Sequence, residues 1–240
     1  MKKVIVTGIF GGGALMCLRG GFWQLRRKNW KENLIQERSQ HLGKDPESIS
    51  VPLPTEKEYD YLPVKTKGTF DHSKEMLMLR KYEEMNGYRV ITPLFIKGKQ
   101  GILVNRGWIP RDMKGKQEYR PQGEVEVEGI LKPKEEKSKF VPENSIALDE
   151  WYYIDPEVMA EYSGLENPEA KHKVLQEVNF SRNRVVYQEE DFPEVPIRSV
   201  KSEFSSFTIM PETHLGYSLF WFSSAAICIA FNILILKGRL

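Results

Sequence analysis

The strongest hydrophobic pattern lies near the C-terminal end. Residues 215–236 read LGYSLFWFSSAAICIAFNILIL, 22 positions without a charge. At about 1.5 Å rise per residue such a helix extends about 33 Å, enough to cross a hydrocarbon core of about 30 Å. Lys237 and Arg239 follow at once as a cationic stop. The pattern therefore predicts a transmembrane helix over 215–236. Asn232 is its one strongly polar residue; an amide in lipid is costly, so it is expected to face protein. Residues 4–18 form a second apolar run, interrupted by Arg19 and followed by Gly20, Gly21, Phe22 and Trp23. Read over 4–25 this is another spanning helix, with Arg19 snorkelling to the headgroups and Trp23 at the interface. A signal peptide is the rival, with Lys2 and Lys3 as its basic start. No small-x-small cleavage pattern follows, and Arg19 sits badly in such a segment. Gly11, Gly12 and Gly13 would allow another helix to approach closely in lipid. Two spans place both termini on one side. Lys237 and Arg239 point to the cytoplasm or matrix, whereas Arg26, Arg27, Lys28 and Lys31 on the far flank of the first span outnumber Lys2 and Lys3.

Between the spans, residues 26–205 carry mixed patterns that predict one soluble domain. Residues 26–42 continue the first helix with amphipathic spacing, and Gly43 with Pro46 ends it. Alternating or short apolar runs predict strands over 62–70, 75–80, 88–96, 101–109, 124–127 and 175–187. The KGKQG stretch around Gly98 predicts a hairpin turn between the third and fourth of these. A short helix is predicted over 155–162, with Asp155 as N-cap, Pro156 at the first helical position and Gly164 beyond the end. Residues 132–139 read as a charged loop and 192–196 as a linker. The fold class is thus a membrane protein with two terminal transmembrane α-helices flanking one β-rich α+β soluble domain.

Composition narrows the function. Lys plus Arg number 35 against 33 Asp plus Glu, a net charge of +2, which argues against nucleic-acid binding by bulk charge. The two cysteines, Cys17 and Cys228, both sit in the apolar ends, so neither a CxxC redox motif nor a disulfide framework is present. The four histidines are scattered, and none of their spacings offers two metal ligands on one face.

Three constellations remain. Asp71-His72-Ser73 looks like a compressed catalytic triad, but consecutive strand residues point to alternate faces and cannot converge; a surface turn is the plainer reading. Arg106 follows the apolar run 102–104 within Asn105-Arg106-Gly107-Trp108. It either meets a carboxylate of a substrate or partner or bridges loops structurally, and Gly107 is a candidate for a special backbone conformation. His214 opens the last span, and Tyr217, Ser218 and Trp221 follow at i+3, i+4 and i+7 on its helical face. A histidine there can ligate haem iron between aromatics, hydrogen-bond lipid headgroups, or join Trp221 in an aromatic belt.

Taken in order, certain blocks form a recognisable series: FWQLRRKNWK at 22–31, YLPV at 61–64, GTFD at 68–71, Tyr88 with Val90, Thr92 and Pro93, ILVNRGWIP at 102–110, and His214-Leu215 with Tyr217 and Trp221. Each is modest alone; together, between two apolar ends, the series resembles the Surfeit-locus-protein family of cytochrome c oxidase assembly factors over nearly the whole chain. The resemblance implies a non-enzymatic factor in the mitochondrial inner membrane, with its domain in the intermembrane space and both termini in the matrix, or in a bacterial plasma membrane with a periplasmic domain. It implies help with haem a insertion into the largest subunit of the oxidase. Its partners would be oxidase subunits and the lipid bilayer, with no nucleic acid.

The resemblance also implies a transient haem a site at His214, with Tyr217 and Trp221 beside it. Trp23, Arg26, Arg106 and Trp108 become candidate partner contacts. Departures fall at the same end: the approach to His214 runs through Pro211 and Glu212, without the glycines and the arginine usual in the family, and Arg19 intrudes on the first span. A permanent accessory subunit without haem delivery is the alternative. An enzyme acting on a small molecule is a third reading, for which the sequence offers no converging acid–base pair, nucleophile or metal set.

Overall fold

A computed structural model describes residues 2–134, 136–180 and 195–238. The chain divides into two compact units, Met1–Glu37 with Ser205–Leu240, and Arg38–Phe204. Residues 26–37, assigned to the domain from sequence, cluster with the helices.

The first unit is a helix pair. Helix α1 spans Lys2–Leu42 without a break, joining the apolar and amphipathic stretches into one element; its last five residues belong to the second unit. Helix α2 (Pro156–Ser163) lies in the domain, and α3 spans Pro211–Leu236, four residues longer at its start than the hydropathy alone suggests. Pro211 fits because its missing N–H would be unbonded at the first helical position anyway. Both α1 and α3 are long and apolar enough to cross a membrane.

The two long helices run antiparallel. Asn232 Nδ2 donates to the carbonyl of Thr7 at 3.2 Å, Phe10 stacks on Phe231, and Phe22 meets Phe222 edge-on. Asn232 thus faces protein. Of the glycine triplet, Gly11 and Gly13 face Asn232 and Cys228, while Gly12 has nothing near it. The closest approach lies further along: a Cβ on Gly20 would stand 3.0 Å from the Trp221 ring, and one on Gly21 only 2.6 Å from the Phe222 ring.

The second unit is built on strands β1 (Glu47–Ser48), β2 (Pro63–Phe70), β3 (Met76–Tyr82), β4 (Met85–Lys97), β5 (Gln100–Pro110), β6 (Glu124–Pro133) and β7 (Lys173–Glu177), together with α2. The sheet order is β1-β2-β6-β7-β5-β4-β3. A further pairing, Thr69 with Phe95 and Phe70 with Leu94, joins β2 to β4. That link closes β2, β6, β7, β5 and β4 into a five-stranded barrel, with β1 and β3 as added edge strands.

Alternation along β5 sorts its side chains. Ile102 and Val104 enter the cluster with Val64, Phe70, Leu94, Val127, Leu131 and Leu175. Leu103 points the other way, to Met76, Met78 and Ile91 and to Met159 and Ala160 of α2. Each fully buried aliphatic side chain contributes about 1.5–3 kcal/mol.

Helix α2 is built as its sequence indicates: Asp155 accepts from the Glu157 N–H, Pro156 opens the helix, and Gly164 closes it at φ +74°. Gly98 turns the β4–β5 hairpin at φ +58°. The largest differences from the expected strand boundaries fall in β6 and β7. Lys132 and Pro133 belong to β6, held by pairing with β7, so the charged loop begins later; Glu135 lies outside the described residues. Strand β7 ends at Glu177, and residues 181–187 of the expected strand, with 192–194 of the expected linker and Arg239, lie outside the described residues. Within this unit, residues 38–42 are well held: Arg38 donates to the Tyr61 hydroxyl at 2.9 Å and to the Phe204 carbonyl at 3.1 Å.

Candidate functional site

In the helix pair, His214 occupies the first turn of α3 and is 6% exposed. Its Nδ1 lies 2.7 Å from Oε1 of Gln24 on α1. An amide oxygen only accepts, so the imidazole donates through Nδ1. The other ring nitrogen, Nε2, is buried without a hydrogen-bond partner. Ser218, one turn on, is 1% exposed and shares the buried face. Lys31 is nearby and 8% exposed; its ammonium donates to the carbonyl of Ile209 and sits 5.3 Å from the Phe207 ring centre. Arg27 stacks over Trp30 at 4.2 Å. Glu212, a carboxylate two residues before the histidine, is exposed; Gln24, not Glu212, meets the ring.

The aromatics expected around His214 separate. Trp221 packs against Gly20 and meets Phe220 edge-on at 5.9 Å. Tyr217 is 51% exposed and leaves the buried face. The i+3 step turns a helical residue about 60° from its reference, and here α1 covers the i+4 and i+7 positions instead.

The second concentration of polar chemistry lies inside the domain. Between β4 and β5 the register shifts: Val90 pairs with Gly107 and Ile91 with Asn105, leaving Arg106 as the extra residue of a bulge. Gly107 adopts φ +119°, and a Cβ there would fall 2.2 Å from the Ile197 carbonyl oxygen. Only glycine fits that position. The bulge directs Arg106 inward, at 3% exposure. Its Nη2 donates to the Tyr119 carbonyl at 2.6 Å, its guanidinium lies 4.8 Å from the Phe70 ring centre, and Nη1 is 4.0 Å from Oε2 of Glu75. Glu75 Oε1 accepts from the Tyr119 hydroxyl and from Arg120 Nη2, both at 2.8 Å. His72 Nδ1 stands 3.8 Å from Glu75 Oε2. Burial lowers the Arg106 pKa from its ordinary value, with Glu177 and Glu75 opposing the shift. Burial raises that of Tyr119, and its hydrogen bond to Glu75 adds to the rise.

These placements sort the remaining candidates. Arg106 and Trp108 are interior residues, Trp108 at 5% exposure with its Nε1 donating to the Arg80 carbonyl. The bulge and the packing beneath β3 turn both inward. Arg106 takes the bridging role that the sequence left open. Trp23 is 51% exposed, and Arg26 is exposed as well. Asp71 caps a short turn, accepting from the backbone and hydroxyl of Ser73, while His72 turns to the Pro121 carbonyl. The three form a turn and do not converge as a catalytic set. Gln24 and Glu75 are the residues that sequence reasoning missed. Gln24 stands within a motif, but its partner lies 190 positions away; Glu75 carries no local signal at all.

The SURF1 family model matches residues 13–226. Surfeit locus protein 1 of Gallus gallus is 38% identical over 168 residues, covering 61% of this chain and 54% of that protein. The Homo sapiens protein of the same name is 36% identical over 170 residues, covering 61% and 55%. The Arabidopsis thaliana protein is 28% identical over 260 residues, covering 86% and 70%. The chain thus spans about half the length of the Gallus gallus and Homo sapiens proteins.

Proposed function

This chain belongs to the SURF1 family, a family of cytochrome c oxidase assembly factors, and from that premise we propose that it is a membrane-anchored assembly factor for cytochrome c oxidase. It acts without turnover of its own, assisting maturation of the largest, haem-bearing subunit, and holds haem a transiently as cargo. The membrane is the one that houses the oxidase: the mitochondrial inner membrane, or the plasma membrane of a bacterium. The antiparallel helices α1 and α3 anchor the chain, and the barrel domain works in the intermembrane space or periplasm.

The observation that carries the haem part is the state of His214. Its Nδ1 is engaged with Gln24, and its buried Nε2 has no partner. A buried polar atom left unpaired costs about 1–3 kcal/mol, a cost that ligand binding would relieve. A neutral imidazole with one nitrogen anchored and the other free is the form that donates a lone pair to haem iron. Trp221 supports the face on which His214 lies; Tyr217 takes no part on that face. Trp23, exposed on α1, and Arg26 beside it remain available to a partner subunit.

Two measurements test this reading. Membranes solubilised in mild detergent and resolved by size should place the chain with partly assembled oxidase or in a small haem-bearing complex. Migration with mature, active oxidase would make it a resident accessory subunit instead. Absence from every oxidase-containing fraction would end the proposal. His214→Ala should abolish copurifying haem a, and unchanged haem content would remove His214 as its ligand.

A further inference from the structure

Gln24 is a single neutral side chain whose oxygen faces the one ring nitrogen of His214 that the haem reading does not use. The proton on that contact must come from His214, because Oε1 can only accept. A neutral imidazole with its proton on Nδ1 keeps its lone pair on Nε2, and the hydrogen bond on one nitrogen sets the state of the other. We infer that Gln24 is a positioning residue, fixing the tautomer and ring plane of His214 so that Nε2 is the nitrogen presented to a ligand. The identity of that ligand rests on the haem reading; the tautomer does not.

The helix packing supports this role. Gln24 follows Gly20 by four residues and Gly21 by three, so all three share one face of α1. Trp221 and Phe222 press on those glycines, and His214 precedes them by two turns on α3. The close glycine–aromatic contact therefore sets the helix separation at which one amide side chain can reach the ring. The neighbouring cations are otherwise engaged, Lys31 by the Ile209 carbonyl and Arg27 by the Trp30 face. Gln24 is left as the group that decides how the imidazole stands. Partners of this kind, one step removed from a ligated metal, change affinity about 10–100-fold when lost.

The test uses the full chain in lipid nanodiscs with nitrogen-labelled histidine. The chain has four histidines, and His214→Ala identifies the signal of interest by difference. Nitrogen NMR without haem should show His214 protonated on Nδ1 and bare on Nε2. Gln24→Leu should turn that signal into a mixture of tautomers, and Gln24→Glu, which keeps an acceptor of the same length, should restore it. With haem a as the probe, Gln24→Leu should bind about 10–100-fold more weakly than the parent, and Gln24→Glu should recover binding with a shifted haem absorption spectrum. Circular dichroism on each variant shows whether the helices are kept, and rescue by Gln24→Glu separates positioning from folding.

A proton on Nε2 in the parent protein, or the same tautomer in Gln24→Leu, would overturn the inference whatever haem does. The expected tautomers with no haem a binding in any variant, the parent included, would leave the positioning role standing and sink the haem reading alone.

Discussion

Glu75 and Tyr153 show how far a single side chain is governed by what surrounds it. Glu75 sits at 2% side-chain exposure, with Arg120 at 2.8 Å, Arg106 at 4.0 Å and His72 at 3.8 Å. Removing one member of a buried ion cluster leaves the others uncompensated, which typically costs about 3–5 kcal/mol. Glu75→Ala should therefore destabilise the domain by about that amount, read as a lower denaturant midpoint with the slope unchanged. Tyr153 is the opposite case, near the surface. Its phenol donates to Glu143 and Asp155, and desolvation together with those carboxylates pushes its pKa up to about 12. The folded-state value lies above the ordinary one. The resulting stabilisation is fully present below about pH 10 and is lost as pH climbs through 12. An ultraviolet titration should show several phenols ionising late, Tyr119 among them, and Tyr153→Phe should lower the amplitude of the phase near pH 12 by one phenol. An unchanged amplitude there would assign that phase to another tyrosine.

Individual elements depend on a few glycines that no side chain can replace. Gly107 permits the bulge that turns Arg106 inward, at φ +119° and with the Ile197 carbonyl where a Cβ would go. Gly107→Ala combines a backbone penalty of about 1–3 kcal/mol with a steric clash. It should lower the thermal midpoint of the domain by several degrees; an unchanged midpoint would mean the bulge relaxes. In the helix pair, Gly21 plays the corresponding part. A Cβ on Gly13 would lie 3.7 Å from Cys228 Sγ. Gly13→Cys in a Cys17→Ser background should therefore let the introduced thiol crosslink to Cys228 within one chain on mild oxidation. Adding Gly21→Val should suppress the crosslink by forcing α1 from α3, as peptide mapping would show. A crosslink of undiminished yield would mean that Phe222 gives way instead. Turn and cap chemistry at this scale was legible: Asp155, Pro156, Gly164 and Gly98 each sit where their local preferences put them. The bulge was legible only as an unusual glycine, because its register depends on the strand opposite.

At the scale of the whole molecule, the Arg38–Phe204 unit contains its own closed barrel and the hydrophobic clusters that fill and flank it. Expressed without the flanking helices it should fold cooperatively, with one sharp thermal transition and protected barrel amides in hydrogen exchange. A molten, unprotected fragment would show that the helices are needed for the fold. The sequence by itself determined the two apolar helices, the approximate place of the long strands, the capped helix α2 and the family. These follow from period, charge and turn residues, which act over a few positions along the chain. Tertiary structure alone decided that β2 meets β4 to close the barrel, that Arg106 and Trp108 point inward, that Tyr217 leaves the His214 face, and that Gln24 holds His214. Each depends on groups far apart in sequence brought together by burial and strand register. A side chain's neighbours across a packed interface leave no periodic trace in its own segment, and a bulge of one residue reverses which way the next side chain points.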